Sequence, residues 1–357
     1  MIRFLFTMIV AAATVCASAA PAQPASAPAA PRWTLVVHGG AGVIERGRMT
    51  PEQDAAYRAA LNAALDRGSA VLTRGGSSLD AVEAAITGME DDPMFNAGRG
   101  AVFTAAGRNE LDAAIMDGAT LNAGSVAGVT TVRHPISLAR AVMTRSPHVM
   151  MAGEGAEQFA REQRLELVPS GFFFTERRWQ DLERALRGRG DPIPARPDGA
   201  PAAPSASPQA FLDDPTHRFG TVGVVAVDHA GNVAAGTSTG GTTGKRWGRV
   251  GDAPIIGAGT YASNQSCAVS ATGTGEFFIR LTVAREICAL VQYRGMSLQA
   301  AADEVIRTRL TALQGDGGVV AVAPDGTAAW SFNTSGMYRA RASSDGGRRV
   351  AIYADEG

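Results

Sequence analysis

The sequence predicts an α+β protein in which two β-sheets pack on each other and carry helices on their outer faces. Three observations lead there. Continuous apolar runs such as "WTLVVHGG" and "TVGVVAVD" are bounded by glycine or turn residues, as in strands buried on both faces. Two segments read as hairpins: "TVGVVAVDHAGNVAAGTSTGG", and "VVAVAPDGTAAWSF" with Asp325-Gly326 at its turn. Phe277, Leu281, Ala284, Cys288 and Val291 recur at helical spacing, which predicts a helix lying on a sheet.

Along the chain, residues 1–19 carry Arg3, a short apolar run and small residues before position 20, the pattern of a signal peptide. The run of about a dozen residues is short of the roughly 20 that span a bilayer. Residues 20–32, "APAQPASAPAAPR", form a Pro/Ala linker with almost nothing to bury. After the first strand, Thr50-Pro51-Glu52-Gln53 opens a helix: Thr50 caps, Pro51 fits the first turn and Gln53 closes a capping box. Gly75 and Gly76 end that segment. A second helix runs from Ser78 to about Met89, with Val82, Ala85, Ile86 and Met89 on one face. From Ala101 to His134 short apolar runs broken by Gly and Asn suit sheet, and residues 137–163 return to helical spacing. Residues 188–215 are rich in Pro, Ala, Gly and Ser and read as a second flexible segment; "RRVAIYA" is a last strand.

The composition narrows function. With 33 basic and 34 acidic residues, the chain has no excess charge to hold it on phosphate backbones or anionic lipid, so neither nucleic acid nor a membrane is an expected partner of the mature chain. A hydrophobic content of 45 % supports a sizeable core. Cys16 falls in the leader, and the remaining Cys267 and Cys288 make no disulfide framework. No zinc motif occurs and the five histidines are scattered, so no catalytic cofactor is expected.

The stretch "RFGTVGVVAVD" sets Gly220-Thr221 where the flexible segment meets a buried strand. A threonine hydroxyl is a weak nucleophile without a base, and an amino-terminal threonine supplies one through its own α-amine, which titrates at about 7.7 to 8.0. Thr221 has that amine only if the Gly220–Thr221 bond is cut, and its own hydroxyl can make the cut by attacking the preceding carbonyl. Residues 33–220 would then be one subunit, with 188–215 as its loose tail, and residues 221–357 a second that begins with the nucleophile.

The surroundings fit that chemistry. Thr237, Ser238 and Thr239 lie at the end of the paired strand, where hydroxyls face Thr221 or merely cap strands. Thr272, Gly273, Thr274 and Gly275 open a helix, either as an oxyanion site or as a cap. Arg249 and Asp252 in a Gly-rich loop suit a carboxylate and an ammonium group, or a surface salt bridge.

These residues, "GTVG" at 220–223, "TSTGG" at 237–241, "GRVGD" at 248–252 and "TGTGE" at 272–276, resemble the isoaspartyl peptidase/plant-type L-asparaginase branch of the N-terminal nucleophile hydrolases. "VVHGGAG" at 36–42 and "NAGRGAVFTAAGRNELDAAIMDG" at 96–118 extend the resemblance over nearly the whole chain from Trp33. It implies an αββα four-layer sandwich, autocleavage before Thr221 and a dimer of two-subunit protomers. It implies hydrolysis of β-linked aspartyl peptides and of L-asparagine. By resemblance Thr221 attacks, Thr239 tunes it, and Thr272 with the Gly273 amide holds the oxyanion. Arg249 and Asp252 bind the substrate's α-carboxylate and α-ammonium, helped by Gly275, while Asn96 supports the nucleophile. The loop of residues 89–100 is similar to one that holds sodium on backbone carbonyls. The leader implies a secreted or periplasmic location. Glycosylasparaginase is similar at "GRVGD" but carries Thr-Gly-Asn-Gly-Asp in place of "TGTGE"; a glycosylasparaginase-like amidase and an uncleaved amino-acid-binding protein are the alternatives. The chain departs from the common pattern in its leader, its enlarged Pro/Ala linker and Gly244, where relatives often have Asn.

Overall fold

A computed structural model describes residues 33–201 and 220–356. The leader, the Pro/Ala linker and residues 202–215 of the predicted flexible segment lie outside the described residues.

In chain order the strands and helices are β1 (Thr34–Gly42), α1 (Pro51–Thr73), α2 (Ser78–Asp91), β2 (Leu111–Asp117), β3 (Ala123–Val129), α3 (Pro135–Arg145), β4 (Met150–Ala152), α4 (Gly153–Glu162) and α5 (Glu176–Arg189). Then come β5 (Val222–Val227), β6 (Val233–Thr239), β7 (Thr260–Ala262), β8 (Ala268–Gly273), α6 (Gly275–Leu281), α7 (Val283–Arg294), α8 (Leu298–Asp303), β9 (Gly317–Val322), β10 (Ala328–Phe332), β11 (Gly336–Ser343) and β12 (Arg348–Tyr353). The capping box at Thr50 forms as its sequence predicts: Gln53 N–H donates to Thr50 Oγ1 and Thr50 N–H to Gln53 Oε1.

The strands make two sheets, ordered β12-β11-β1-β5-β6-β2-β3-β4 and β10-β9-β8-β7. Among the strand pairings of the described residues only β3–β4 is parallel. Strand parity sorts the side chains into layers. On β1 and β5, Leu35, Val37, Val222 and Val224 face α1, α2 and α3, whereas Val36, Val225 and Val227 face the other sheet. On β8 and β9, Val269, Ala271, Val319 and Ala321 face α7 and α8, whereas Ala268, Val320 and Val322 face inward. The result is the αββα sandwich. The same parity puts Thr221, Thr237, Thr239, Ser270 and Thr272 on the face between the sheets.

Sheet and helix depart from the sequence reading in five places. The predicted helical stretch at 137–163 is interrupted, because Ser146-Pro147 stops α3 and β4 pairs with β3 before α4 begins. Helix α5, capped by Thr175, is unforeseen; it buries Trp179, Leu182 and Leu186 against Phe103. Residues 188 and 189 belong to that helix, and residues 190–201 are irregular yet packed. Arg196 pairs with Glu176 at 2.7 Å and lies over the Phe174 ring at 5.3 Å. The helix expected from Phe277 to Val291 breaks at Thr282, which takes a left-handed φ of 48° between α6 and α7.

The fifth difference is chemical. Cys267, just ahead of β8, and Cys288, on the buried face of α7, form a disulfide with Cα atoms 5.4 Å apart. Twenty-one residues separate them in sequence, so only the packing of the helix on the sheet brings them together.

The halves divided at Gly220–Thr221 are interleaved. β5 lies between β1 and β6, and β2 pairs with β6, so strands from before and after that bond alternate in the middle of one sheet.

Reducing the disulfide, or replacing Cys288→Ala, should cost about 3 kcal/mol in denaturant unfolding, the value expected for a loop of this size. Identical unfolding midpoints with and without reductant would show that the bond contributes nothing.

Candidate active site

Thr221 sits one residue before β5, and the ladder decides what it faces. Val222 pairs with Ser238 and Gly223 with Thr237, so Thr221 lies opposite Thr239. Its hydroxyl donates to Thr239 Oγ1 at 3.1 Å. Thr239 Oγ1 also accepts from Gly241 N–H at 3.0 Å. Both threonines are buried, with Thr221 9 % exposed at the edge.

Asn96 fixes the loop that follows Thr239. Its Nδ2 donates to the Gly241 carbonyl at 2.8 Å, its Oδ1 accepts from Val102 N–H at 2.9 Å, and its carbonyl accepts from Gly240 N–H at 3.1 Å. The Asn96 side chain also borders Gly220. On the other side, Gly40 follows a bulge in β1 with φ 114°, and a Cβ there would lie 2.8 Å from Gly220 Cα. Only glycine accommodates both that conformation and that approach. The "VVHGGAG" motif thus presses on the peptide bond that precedes Thr221.

Arg249 and Asp252 converge on Gly275 at the start of α6. A Cβ on Gly275 would stand 2.9 Å from Arg249 Nη2 and 2.9 Å from Asp252 Oδ1. Burial pushes the Asp252 carboxyl up to about 7, although Arg249 favours its charged form, and its Oδ2 has no partner among the described residues. Arg249 Nε and Nη2 hold Glu276 side-on at 2.9 and 3.0 Å, which keeps the Glu276 carboxyl below its ordinary range. Arg249 Nη1 lies beside Gly241, linking this group to Thr239. Thr272 is fully buried with an unpartnered hydroxyl, and Gly273 follows it at φ 156°.

The structure therefore joins Thr221 with Thr239 and Asn96, and joins Arg249 with Asp252 and Gly275. It adds residues that sequence reasoning missed. Glu276 orients Arg249; its place in "TGTGE" was the available signal. His38 Nε2 meets Ser270 Oγ at 3.0 Å, Ser270 Oγ meets Thr237 Oγ1 at 2.7 Å, and Thr260 Oγ1 donates to Thr237 Oγ1 at 2.6 Å. Burial lowers the His38 imidazole to about 3, with the Thr221 backbone acting weakly the other way, so this chain of groups stays uncharged. Lys245 and Asp112 make a buried ion pair at 3.7 Å next to Gly241.

In the 89–100 loop, the carbonyls of Pro93 and Phe95 crowd Gly100 so closely that no side chain would fit. Arg177 donates to the Pro93 and Met94 carbonyls at 3.2 and 3.0 Å. No cluster of three or more His, Cys, Asp or Glu side chains suited to a metal occurs among the described residues.

Comparison with known proteins places these features in context. A protein-family model described as asparaginase matches residues 31–352. The chain is 48 % identical over 313 residues to the isoaspartyl peptidase of Salmonella typhimurium, covering 86 % of this chain and 94 % of that protein. It is 47 % identical over 323 residues to the isoaspartyl peptidase of Escherichia coli, covering 90 % and 97 %. It is 38 % identical over 323 residues to the isoaspartyl peptidase/L-asparaginase of Homo sapiens, covering 90 % and 96 %.

Gly40→Ala should slow any self-cleavage by about a hundredfold, the cost typical of a displaced reacting group, while leaving the far-ultraviolet circular dichroism unchanged. A time course on denaturing gels checks this; cleavage at the wild-type rate would remove Gly40 from the account.

Proposed function

The chain belongs to the asparaginase family, and from that premise we infer that its reaction, hydrolysis of isoaspartyl peptides and of L-asparagine, runs through Thr221 as a nucleophile freed by self-cleavage at Gly220–Thr221. The observation that carries this reading is the 3.1 Å contact of the Thr221 and Thr239 hydroxyls on the face between the sheets. The relatives favour neither a glycosylasparaginase-like amidase nor an uncleaved binding protein.

In the uncut chain the α-nitrogen of Thr221 is an amide and cannot act as base. Attack of Thr221 Oγ1 on the Gly220 carbonyl carbon moves the acyl group from nitrogen to oxygen, and water then releases Gly220 as a carboxylate and leaves a free α-amine. That amine takes the hydroxyl proton when Oγ1 next attacks the side-chain carbonyl of an aspartyl substrate. Thr239, locked by the Gly241 amide, holds Oγ1 in place.

The unpartnered Thr272 hydroxyl and the Gly273 amide receive the developing oxyanion. The carbon–nitrogen bond breaks as the α-ammonium returns its proton to the leaving amine or ammonia. Water assisted by the same α-amine hydrolyses the aspartyl ester on Thr221 Oγ1 and releases aspartate. Arg249 grips the substrate α-carboxylate through Nη1, which Glu276 leaves free, and Asp252 receives the α-ammonium with help from the Gly275 backbone.

A sodium ion would be held by backbone carbonyls of residues 89–100 and would stiffen the loop that carries Asn96; the bond chemistry needs none. The working unit is a dimer of two-chain protomers, by the family resemblance. We place the protein in the periplasm or outside the cell. The leader supports this, as does the Cys267–Cys288 disulfide, since such bonds persist in oxidising compartments. Among the described residues no helix is long and apolar enough to cross a membrane.

Amino-terminal sequencing of purified protein should find a second chain beginning Thr221-Val222-Gly223, and Thr221→Ala should leave one chain with no turnover of β-aspartyl-leucine or asparagine. A Thr221→Ala protein that still cuts at this bond would overturn the mechanism.

Asp252 supplies a pH test. Its carboxyl must be ionised to hold an ammonium group, so binding should be strongest above about pH 7 and be lost as pH falls. The Ki of L-aspartate should rise by up to about tenfold per unit below that pH, the limit for one ionisation. In Asp252→Asn that dependence should disappear and binding should be weak throughout. A flat profile in the wild type would remove Asp252 from the binding site.

A further inference from the structure

The loop between Gly241 and Arg249 carries a feature that the aspartyl site does not use. Trp247 is 95 % exposed, and its backbone sits in the left-handed region at φ 58°, followed by Gly248 at φ 69°. A bulky residue adopts that conformation only where its surroundings impose it. The loop does not tuck the indole away; it stands the ring at the lip of a groove of about 450 Å³.

The opposite wall is Thr104 to Ala106 with Arg108 and Glu110. It is fastened to the loop by hydrogen bonds from Ala105 N–H to the Lys245 carbonyl at 2.9 Å and from Gly244 N–H to the Phe103 carbonyl at 2.7 Å.

The groove neighbours the aspartyl site through residues the two share or that adjoin in the chain. Lys245 lines it and also flanks Gly241, whose amide holds Thr239, and Gly248 leads directly into Arg249. Its charges are mostly spoken for: Lys245 is paired with Asp112 and Arg246 with Asp191. Arg108 is different, since its side chain is 68 % exposed and it reaches Glu110 only at 3.8 Å. An aromatic platform and an available guanidinium therefore share a groove that borders the loop carrying Arg249.

We propose that this groove is the subsite for the departing residue, and that it selects isoaspartyl peptides whose C-terminal residue is aromatic and bears a free carboxylate. The proposal rests on the hydrolase reading above. The departing ring stacks on Trp247, an arrangement that area burial and ring quadrupoles both favour, and its carboxylate pairs with Arg108. Free asparagine loses only ammonia and puts nothing into the groove.

The test compares kcat/KM for β-aspartyl-phenylalanine, its C-terminal amide, β-aspartyl-glycine and L-asparagine in the autoprocessed protein. Trp247→Gly suits the left-handed backbone and removes the platform without forcing a new conformation. It should lower the ratio of β-aspartyl-phenylalanine to asparagine by about tenfold, the scale of one aromatic contact. Arg108→Gln should lower the ratio of β-aspartyl-phenylalanine to its amide and leave the ratio of that amide to asparagine where it was.

Ratios unchanged in both variants would overturn the subsite. So would an equal fall for β-aspartyl-phenylalanine and β-aspartyl-glycine in Trp247→Gly, because a structural effect of the loop moves all peptides together. Wild-type protein that turns over none of the four compounds overturns the hydrolase reading first, and that result is distinct from a change in selectivity.

Discussion

The pairing of β5 with β6 is the constraint on which the rest of the site depends. Backbone hydrogen bonds set Val222 against Ser238, and the strand period then leaves Thr221 no partner but Thr239, on the face that looks toward the second sheet. A slip of β5 by one residue would turn the Thr221 hydroxyl toward the helices and away from Thr239. The valines further along β5 resist that slip, because Val222 and Val224 fill the helix-side core while Val225 and Val227 fill the space between the sheets. The register of the Thr221–Thr239 pair is thus held by apolar packing one to six residues along the strand from Thr221.

Around that register the molecule keeps charge at a distance from Thr221. The groups nearest it are hydroxyls, amides and an imidazole that burial keeps neutral. Of the charged groups, Arg249 and Lys245 lie beside Gly241, Asp252 lies beside Gly275, and Asp112, paired with Lys245, is the ladder partner of Thr239 on β2, two strands from β5. On the proposed mechanism, a neutral setting of this kind favours the uncharged form of the Thr221 α-amine, which must accept a proton. A charged rim gives a zwitterionic substrate its orientation.

Much of this was legible in the residues. Apolar runs and turn glycines located β1, β5, β6, β9 and β12, and Thr50 and Gln53 announced the start of α1. Gly220-Thr221 stood out because a threonine with its own free amine has a distinctive chemistry, and the structure sets its hydroxyl against Thr239. What stayed hidden depends on packing between distant segments. Cys267 and Cys288 look unrelated until α7 lies on β8. His38 is one scattered histidine until Ser270 from the other sheet reaches it. The break at Thr282 leaves the apolar spacing on both sides intact, so periodicity alone sees one helix. The irregular stretch at 190–201 has the composition of a loose linker, yet Arg196 pins it through Glu176 and Phe174.

If Gly220–Thr221 is cut as proposed, the interleaving of strands from its two sides makes folding and maturation an ordered sequence. β5 can take its place between β1 and β6 by an intramolecular search while the chain is whole. Once the bond is cut, the same arrangement persists, since its backbone pairings do not depend on that peptide link. Denaturing the cut protein, however, would free two fragments that must find each other in solution before β1, β5, β6 or β2 has a neighbour on both sides. Refolding would then slow on dilution. On that reading the intact chain is the form that encodes the fold, and the cut protein retains it as a kinetic inheritance.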